Sequence, residues 1–285
     1  MSENTNISPL ALHTDILPYT GPSASEDTVE NLTLIHGWAA ENSIWQDWAI
    51  EFLSPHYRVH LIELPGFGQS PHFEHLENGR IDQAWLESLI QALPDHTHLL
   101  GWSLGGLLAQ QIALREPERV KSLVCLASTP RFVQNDGWRW AVSPPLMADF
   151  IKALGVEYTT VLKQFWNLQL QGTENARPLM KRLRQHMSQR RLPHYSGLLQ
   201  GLYLLRDIDN RDALMDLTQP TLWLLGEHDP LIPKELIQSL SALQPDGETR
   251  ILNGAGHMPF FSHPEDTARE LLAFLRAHPY HSMIK

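Results

Sequence analysis

The chain contains one cysteine, Cys125, so it can form no internal disulfide. It has no stretch near the roughly eighteen consecutive apolar residues that a membrane-spanning helix needs. Its start, MSENTNISPLALHTDILPY, has an acidic residue, no basic n-region and no apolar core, so no signal peptide or anchor is expected and the cytoplasm is the expected compartment. Positive charge is also scarce: 22 Lys and Arg stand against 32 Asp and Glu, and the net charge of -10 excludes a surface built throughout for nucleic acid. Cys125 lies in the apolar run SLVCLAS and reads as a buried strand residue.

What the chain does have is alternation. Short apolar runs occur at 31–37 (NLTLIHG), 57–66 (YRVHLIELPG), 96–103 (HTHLLGWS), 120–128 (VKSLVCLAS), 220–229 (PTLWLLGEHD) and 249–257 (TRILNGAGH). Their continuous apolar character fits strands covered on both faces. Between them lie helix-like stretches such as SIWQDWAIEFL, QAWLESLIQAL, KELIQSLSAL and PEDTARELLAFLRAH. This rhythm predicts an α/β fold with a mostly parallel, doubly wound sheet. It breaks between about Pro130 and Arg206, where PPLMADFIKAL, TTVLKQFWNLQL and RPLMKRLRQHMSQ are helix-like and no strand intervenes. The expected organisation is a core of 31–129 and 207–285, a helical cap at 130–206, and an N-terminal arm or edge hairpin at 1–30.

The stretch HLLGWSLGGLLAQQIA places Ser103 between Gly101 and Gly105 in a Gly-x-Ser-x-Gly pattern, after an apolar run and before a helix-like one. A serine that attacks a substrate must project from the sheet on a sharp strand-to-helix turn, and glycines on both sides relieve the crowding there. The serine needs a histidine base, and the histidine a carboxylate. Of fifteen histidines, His257 follows a strand-like run and precedes a helix; Asp229 ends another strand-like run. Both then lie with Ser103 beyond the carboxyl ends of the strands, where such sheets bind ligands. Glu227, Asp207 and Asp209 are the competing acids. The expected oxyanion donors are the amides of Leu104 and Trp38, with His36 buttressing the Trp38 loop. Trp38 and Trp102 are expected pocket walls.

Other signals read as ordinary. PGFGQS at 65–70 lacks the Lys-Ser/Thr ending of a phosphate loop. His72 with His75, and His257 with His263, have no further ligands at metal spacing, so neither metal nor cofactor is expected. From Asn175 to Arg206 there is no acid, while Arg177, Lys181, Arg182, Arg184, Arg190, Arg191 and Arg206 are basic. That is either a solvated helix face or a docking patch for an acidic partner.

LIHGW, ELPGFGQS, LLGWSLGGLLAQQIALREPERV, LASTPRF, GEHDPLIP and GAGHMPFFSHPE together resemble the α/β-hydrolase superfamily over nearly all of the chain after about residue 30. With FWNLQLQGTENAR in the insertion, the resemblance narrows to the carboxylesterases of biotin synthesis that act on pimeloyl-ACP methyl ester. It implies a triad of Ser103, Asp229 and His257. It implies substrate contacts at Trp38, Ser103, Leu104, Phe165, Trp166, Asn167, Leu168, Gln169 and His257. It also implies a carrier-protein docking surface at Lys163, Arg177, Lys181, Arg182 and Arg184, with acyl carrier protein as partner, no nucleic acid or membrane partner, and a monomer. Gln164 stands where another basic residue is expected, and Ala39 where HGW would be followed by Gly. Rival readings are a small-ester carboxylesterase, a carbon–carbon hydrolase or perhydrolase, and a ligand receptor on the same scaffold.

Overall fold

Each of the six apolar runs forms a strand in the computed structural model, which describes residues 8–22, 28–74 and 78–279. They are β2 (Asn31–Ile35), β3 (Arg58–Ile62), β4 (Thr97–Trp102), β5 (Val120–Leu126), β6 (Thr221–Gly226) and β7 (Glu248–Leu252). All pair in parallel, and with β1 (Thr14–Leu17) the order across the sheet is β1-β3-β2-β4-β5-β6-β7. The central strands β4 and β6 are buried at every residue, which is why their sequences do not alternate.

The N-terminal segment is neither a hairpin nor a loose arm over its described part. β1 is a lone antiparallel edge strand on β3, pinned by Leu10 N donating to Ser88 Oγ and His13 N to Ser70 Oγ. Residues 1–7 and 23–27 of that expectation, and 280–285 of the core, lie outside the described residues.

Helices cover both faces: α1 (Ser43–Trp48), continued by a π turn at Ala49–Leu53, α2 (Ile81–Ala92), α3 (Leu104–Arg115), α7 (Leu236–Leu243), α8 (Pro259–Ser262) and α9 (Pro264–Ala277). Between β5 and β6 come α4 (Pro144–Gln169), α5 (Ala176–Ser188) and α6 (Tyr195–Asp207). The two helix-like stretches at 144–154 and 159–170 fall on either side of a break in α4 at Glu157, whose φ of -151° and ψ of 74° leave the helical region. α6 was not among the expected helices. Its sequence, YSGLLQGLYLLRD, carries two glycines, which weaken the helical signal. It is a buried helix. Its glycines are where neighbours come closest: a side chain at Gly197 would meet Pro65 O and Gly66, and one at Gly201 would meet the Trp38 indole.

The tightest contact in the core lies under the β4–α3 turn. A Cβ on Gly105 would fall on the backbone carbonyl of Ile35 in β2, well inside contact distance. Backbone cannot swing aside as a flexible side chain can, so overpacking here is costly. Gly105→Ala should lower stability by about 2 kcal/mol or more, read as a fall in the urea midpoint at unchanged slope. Gly79→Ala, where an added Cβ meets nothing, should stay within about 0.5 kcal/mol of wild type.

Candidate active site

Ser103 occupies the residue between β4 and α3 at φ 55° and ψ -117°, a conformation that L-residues rarely adopt. Its backbone is held on every side. Ser103 N donates to Leu126 O (3.0 Å), and Ser103 O accepts from Ser128 Oγ (2.8 Å) and Gly106 N (2.9 Å). The side chain is thereby aimed away from the sheet, at His257.

His257 Nε2 lies 3.0 Å from Ser103 Oγ, and its Nδ1 lies 2.7 Å from Asp229 Oδ2. Asp229 keeps its carboxylate in place through Oδ1, which accepts from Leu231 N (2.8 Å) and Ile232 N (3.0 Å). The side chains of His257 and Asp229 have no solvent exposure. A carboxylate accepts, so Nδ1 donates to Asp229 and Nε2 is left to accept the Ser103 hydroxyl proton. The loop carrying His257 is tied from two sides, by His257 N donating to Gln169 O (3.1 Å) and by Trp102 Nε1 donating to His257 O (2.8 Å).

The competing acids are held elsewhere. Glu227 accepts from Lys234 Nζ and Gly254 N, and the lysine bond chiefly holds its carboxyl below the usual range. Asp209 pairs with Arg211 and Arg131, and its bond to Arg211 lowers it most; Asp207 pairs with Arg206. His36 is fully buried, its Nδ1 donating to Gly37 O and its Nε2 accepting from Leu64 N. Burial lowers it to about 4, so it stays neutral and ties the Trp38 loop to the chain after β3. The backbone amides of Trp38 and Leu104 meet no carbonyl among the described residues, which leaves two donors beside Ser103. Ala39 adopts φ 62°, a left-handed conformation that glycine would take without strain, and its carbonyl accepts from Trp166 Nε1.

A cavity of about 140 Å³ opens on Ser103. Trp38 forms one wall, edge-on to Phe165 (4.9 Å) and Phe150 (5.5 Å); Leu146 and Met147 of α4, Leu202 and Leu205 of α6, and Leu231 close it with Phe132, Val142 and Leu168. Of the segment 165–169, only Phe165 and Leu168 face this space, being one helical turn apart. Trp166 is turned to Ala39, Asn167 to Arg184, and Gln169 enters only through its carbonyl on the His257 loop. Trp102 is not a pocket wall either. It packs on Trp45 and Phe260, with its ring 5.9 Å from that of His257. The α6 contribution went unseen with the helix itself, while Leu146, Met147 and Phe150 carry a readable i, i+1, i+4 spacing.

Lys163, Arg177, Lys181, Arg182 and Arg184 are all exposed, and none pairs with a carboxylate among the described residues. Arg182 lies over the Phe261 ring (4.6 Å) and Arg184 holds the Asn167 carboxamide. Among the described residues one group, His13, Asp15 and Glu63, brings metal-type ligand atoms together, at the β1 edge and remote from Ser103 in the fold. His75 lies outside the described residues, and His263 bonds Ser262.

The family model described as alpha/beta hydrolase fold matches residues 31–264. Two similar proteins, each named pimeloyl-[acyl-carrier protein] methyl ester esterase, come from Aeromonas salmonicida and Photobacterium profundum. The first is 39% identical over 82% of this chain and 91% of its own, the second 38% over 88% and 97%. Among solved structures, an esterase from Exiguobacterium antarcticum superposes with a TM-score of 0.79 at 21% identity, covering 93% of this chain and 95% of its own. A bromoperoxidase from Bacillus anthracis gives 0.80 at 19%, over 94% and 96%. At those identities the two structures bear on the fold alone.

A serine whose hydroxyl is hydrogen-bonded to an oriented imidazole should react with a fluorophosphonate probe. Mass spectrometry should place the label on Ser103. Ser103→Ala should abolish it, and Asp229→Asn should slow it by about 10⁴, because the imidazole then adopts the wrong tautomer. Label on another serine would refute the assignment. His36 gives an independent check by pH. Its folded value of about 4 lies below the ordinary 6.5 of a histidine, so as pH falls from 6.5 to 4 the unfolded chain takes up a proton that the native chain refuses. Stability drops by about 3 kcal/mol over that window from this group, and His36→Gln should flatten the slope by about 1.4 kcal/mol per pH unit in urea titrations.

Proposed function

The chain belongs to the alpha/beta hydrolase fold family, and we propose that within it the protein is a serine carboxylesterase acting on the methyl ester of pimeloyl-[acyl-carrier protein], in biotin synthesis. The observation that carries this reading is the relay from Asp229 through His257 to Ser103, opening onto an apolar cavity of acyl-chain character, in a chain 36–39% identical to esterases of that name.

The mechanism follows from the hydrogen bonds. His257 Nε2 takes the proton as Ser103 Oγ attacks the ester carbonyl, and the charge that develops on the carbonyl oxygen is met by the amides of Trp38 and Leu104. Leu104 is the first residue of α3, so the helix dipole adds to its amide. His257 returns the proton to the departing methanol, leaving an acyl group on Ser103. Water, deprotonated by the same nitrogen, then releases the acid. Asp229 stays ionised throughout and stabilises the imidazolium. No step calls for a metal or cofactor.

We assign 31–129 and 207–279 to the catalytic core and 130–206 to a cap. The cap supplies Phe165, Leu168, Leu202 and Leu205 to the cavity and presents basic side chains outward. Arg177, Lys181 and Arg184 recur at i, i+4 and i+7 on α5, one stripe of the helix, with Lys163 exposed on α4. Acyl carrier protein is acidic, and an uncompensated basic stripe on a chain of net charge -10 is what would steer and orient it. The reading also takes the enzyme as a cytoplasmic monomer; among the described residues no helix is long and apolar enough to cross a membrane.

Double reversal, Arg177→Glu with Lys181→Glu, should lower kcat/KM for the carrier-bound ester by about tenfold or more at low salt, with a smaller deficit at high salt. Hydrolysis of dimethyl pimelate by the same variant should be unchanged. Equal rates on the carrier-bound ester would mean that the patch does not dock the carrier. The decisive genetic measurement is growth without biotin of a strain lacking its esterase: the wild-type chain should restore it and Ser103→Ala should not.

A further inference from the structure

We infer that the cavity admits a dicarboxylic chain only while the end remote from Ser103 is esterified or thioesterified, so that the enzyme removes one methyl group from a diester and stops. The inference rests on the reading that this cavity holds the acyl chain.

Eleven of the twelve side chains that line the cavity are apolar, and the one polar atom among those eleven, the Trp38 indole nitrogen, already donates to Leu198 O. The twelfth is Ser103, which is engaged with His257. Among the described residues no lysine, arginine or histidine lines the space. The neighbouring cations are committed elsewhere. Arg131, beside Phe132, is turned to Val133 O and Asp209, while Arg139 lies over Trp140 and Arg184 holds Asn167. A carboxylate drawn into such a lining gives up water and finds neither a counter-ion nor a donor, whereas an ester or thioester carries no charge to desolvate.

Leu146 lines the cavity yet is 60% exposed, which marks the mouth. A chain whose near ester sits at Ser103 has the rest of its length against this lining, Val142 and Phe150 included. A half-ester offered with its ester at Ser103 must therefore place its free carboxylate among uncharged groups. The same lining disfavours retention of the acid produced at Ser103, beside the buried carboxylate of Asp229. Charge selection by an empty lining would make the reaction sequential in one direction: diester to half-ester, without the diacid.

The test compares three methyl esters on the wild-type enzyme at pH 7.5: dimethyl pimelate, methyl heptanoate, and monomethyl pimelate as its anion. Methyl heptanoate has the same chain with a methyl group where the half-ester has its carboxylate, so it separates charge from length. Its kcat/KM should lie within about tenfold of that for dimethyl pimelate. Monomethyl pimelate should lie at least about a hundredfold below methyl heptanoate, equivalent to about 2.7 kcal/mol at 1.36 kcal/mol per tenfold. Dimethyl pimelate should release one equivalent of methanol as the half-ester accumulates. Leu146→Arg, which places a cation at the solvent-facing mouth, should raise the half-ester rate relative to methyl heptanoate by about tenfold. Equal rates for half-ester and methyl heptanoate would overturn the inference. So would a Leu146→Arg enzyme that hydrolyses methyl heptanoate with no relative gain on the half-ester. Inactivity on all three esters would instead overturn the esterase reading, and this inference with it.

Discussion

At Ser103 the chain passes from β4 into α3 through a conformation that costs about 1–3 kcal/mol for an L-residue, and the rest of the site is arranged around that turn. The turn is stable because its backbone is bonded to β5 through Leu126 O and to Ser128 Oγ, while Gly101 and Gly105 let α3 settle against β4 and β2 with no side chain between. Because this contact is backbone against backbone, it fixes the direction of Ser103 Oγ to the precision of the sheet itself. The amide of Leu104 is fixed by the same contact, since it opens the helix that the glycines seat. One packing constraint thus positions both the proposed nucleophile and a proposed oxyanion donor.

The base is positioned by a different route, and it ties cap to core. His257 N donates to the carbonyl of Gln169, the last residue of α4, while Trp102, one residue before the nucleophile, donates to His257 O. α4 is also the helix whose Phe165 and Leu168 line the cavity. A movement of its C-terminal turn would therefore disturb the cavity wall and the imidazole together. Trp102 serves the site without touching the cavity. It holds the base in place from behind, packed on Trp45 and Phe260.

Much of this was legible in the residues. The six parallel strands follow from continuous apolar runs. Ser103, Asp229 and His257 stand out because each follows the carboxyl end of a parallel strand, β4, β6 and β7, a property of position rather than of motif. What stayed hidden has physical reasons. β1 is short, half-polar and exposed at Ile16, so it carries no run to recognise. α6 carries two glycines among its leucines, which weaken the helical signal, and with it went Leu202 and Leu205. The contiguous segment 165–169 could not act as a unit, because a helix turns neighbouring residues through about 100° and only every third or fourth shares a face. Ala39 is the reverse case: the family pattern suggests glycine, and the positive φ at that residue shows why.

Charge is divided in this molecule between an outside and an inside that obey opposite rules. On α5 the cations are exposed and unpaired, so they retain a long-range field at little desolvation cost. Within the cavity there is none, and the one nearby carboxylate, Asp229, is fully ligated by His257 and two backbone amides. A field that draws an acidic carrier to the surface would, if it reached the cavity, also hold the carboxylate that the reaction creates. Keeping the cations on the outer face of the cap and apolar side chains on its inner face separates the two effects. On the proposed reading, affinity for the carrier can then be strong without slowing departure of the acid, both properties coming from opposite faces of the same helical insertion.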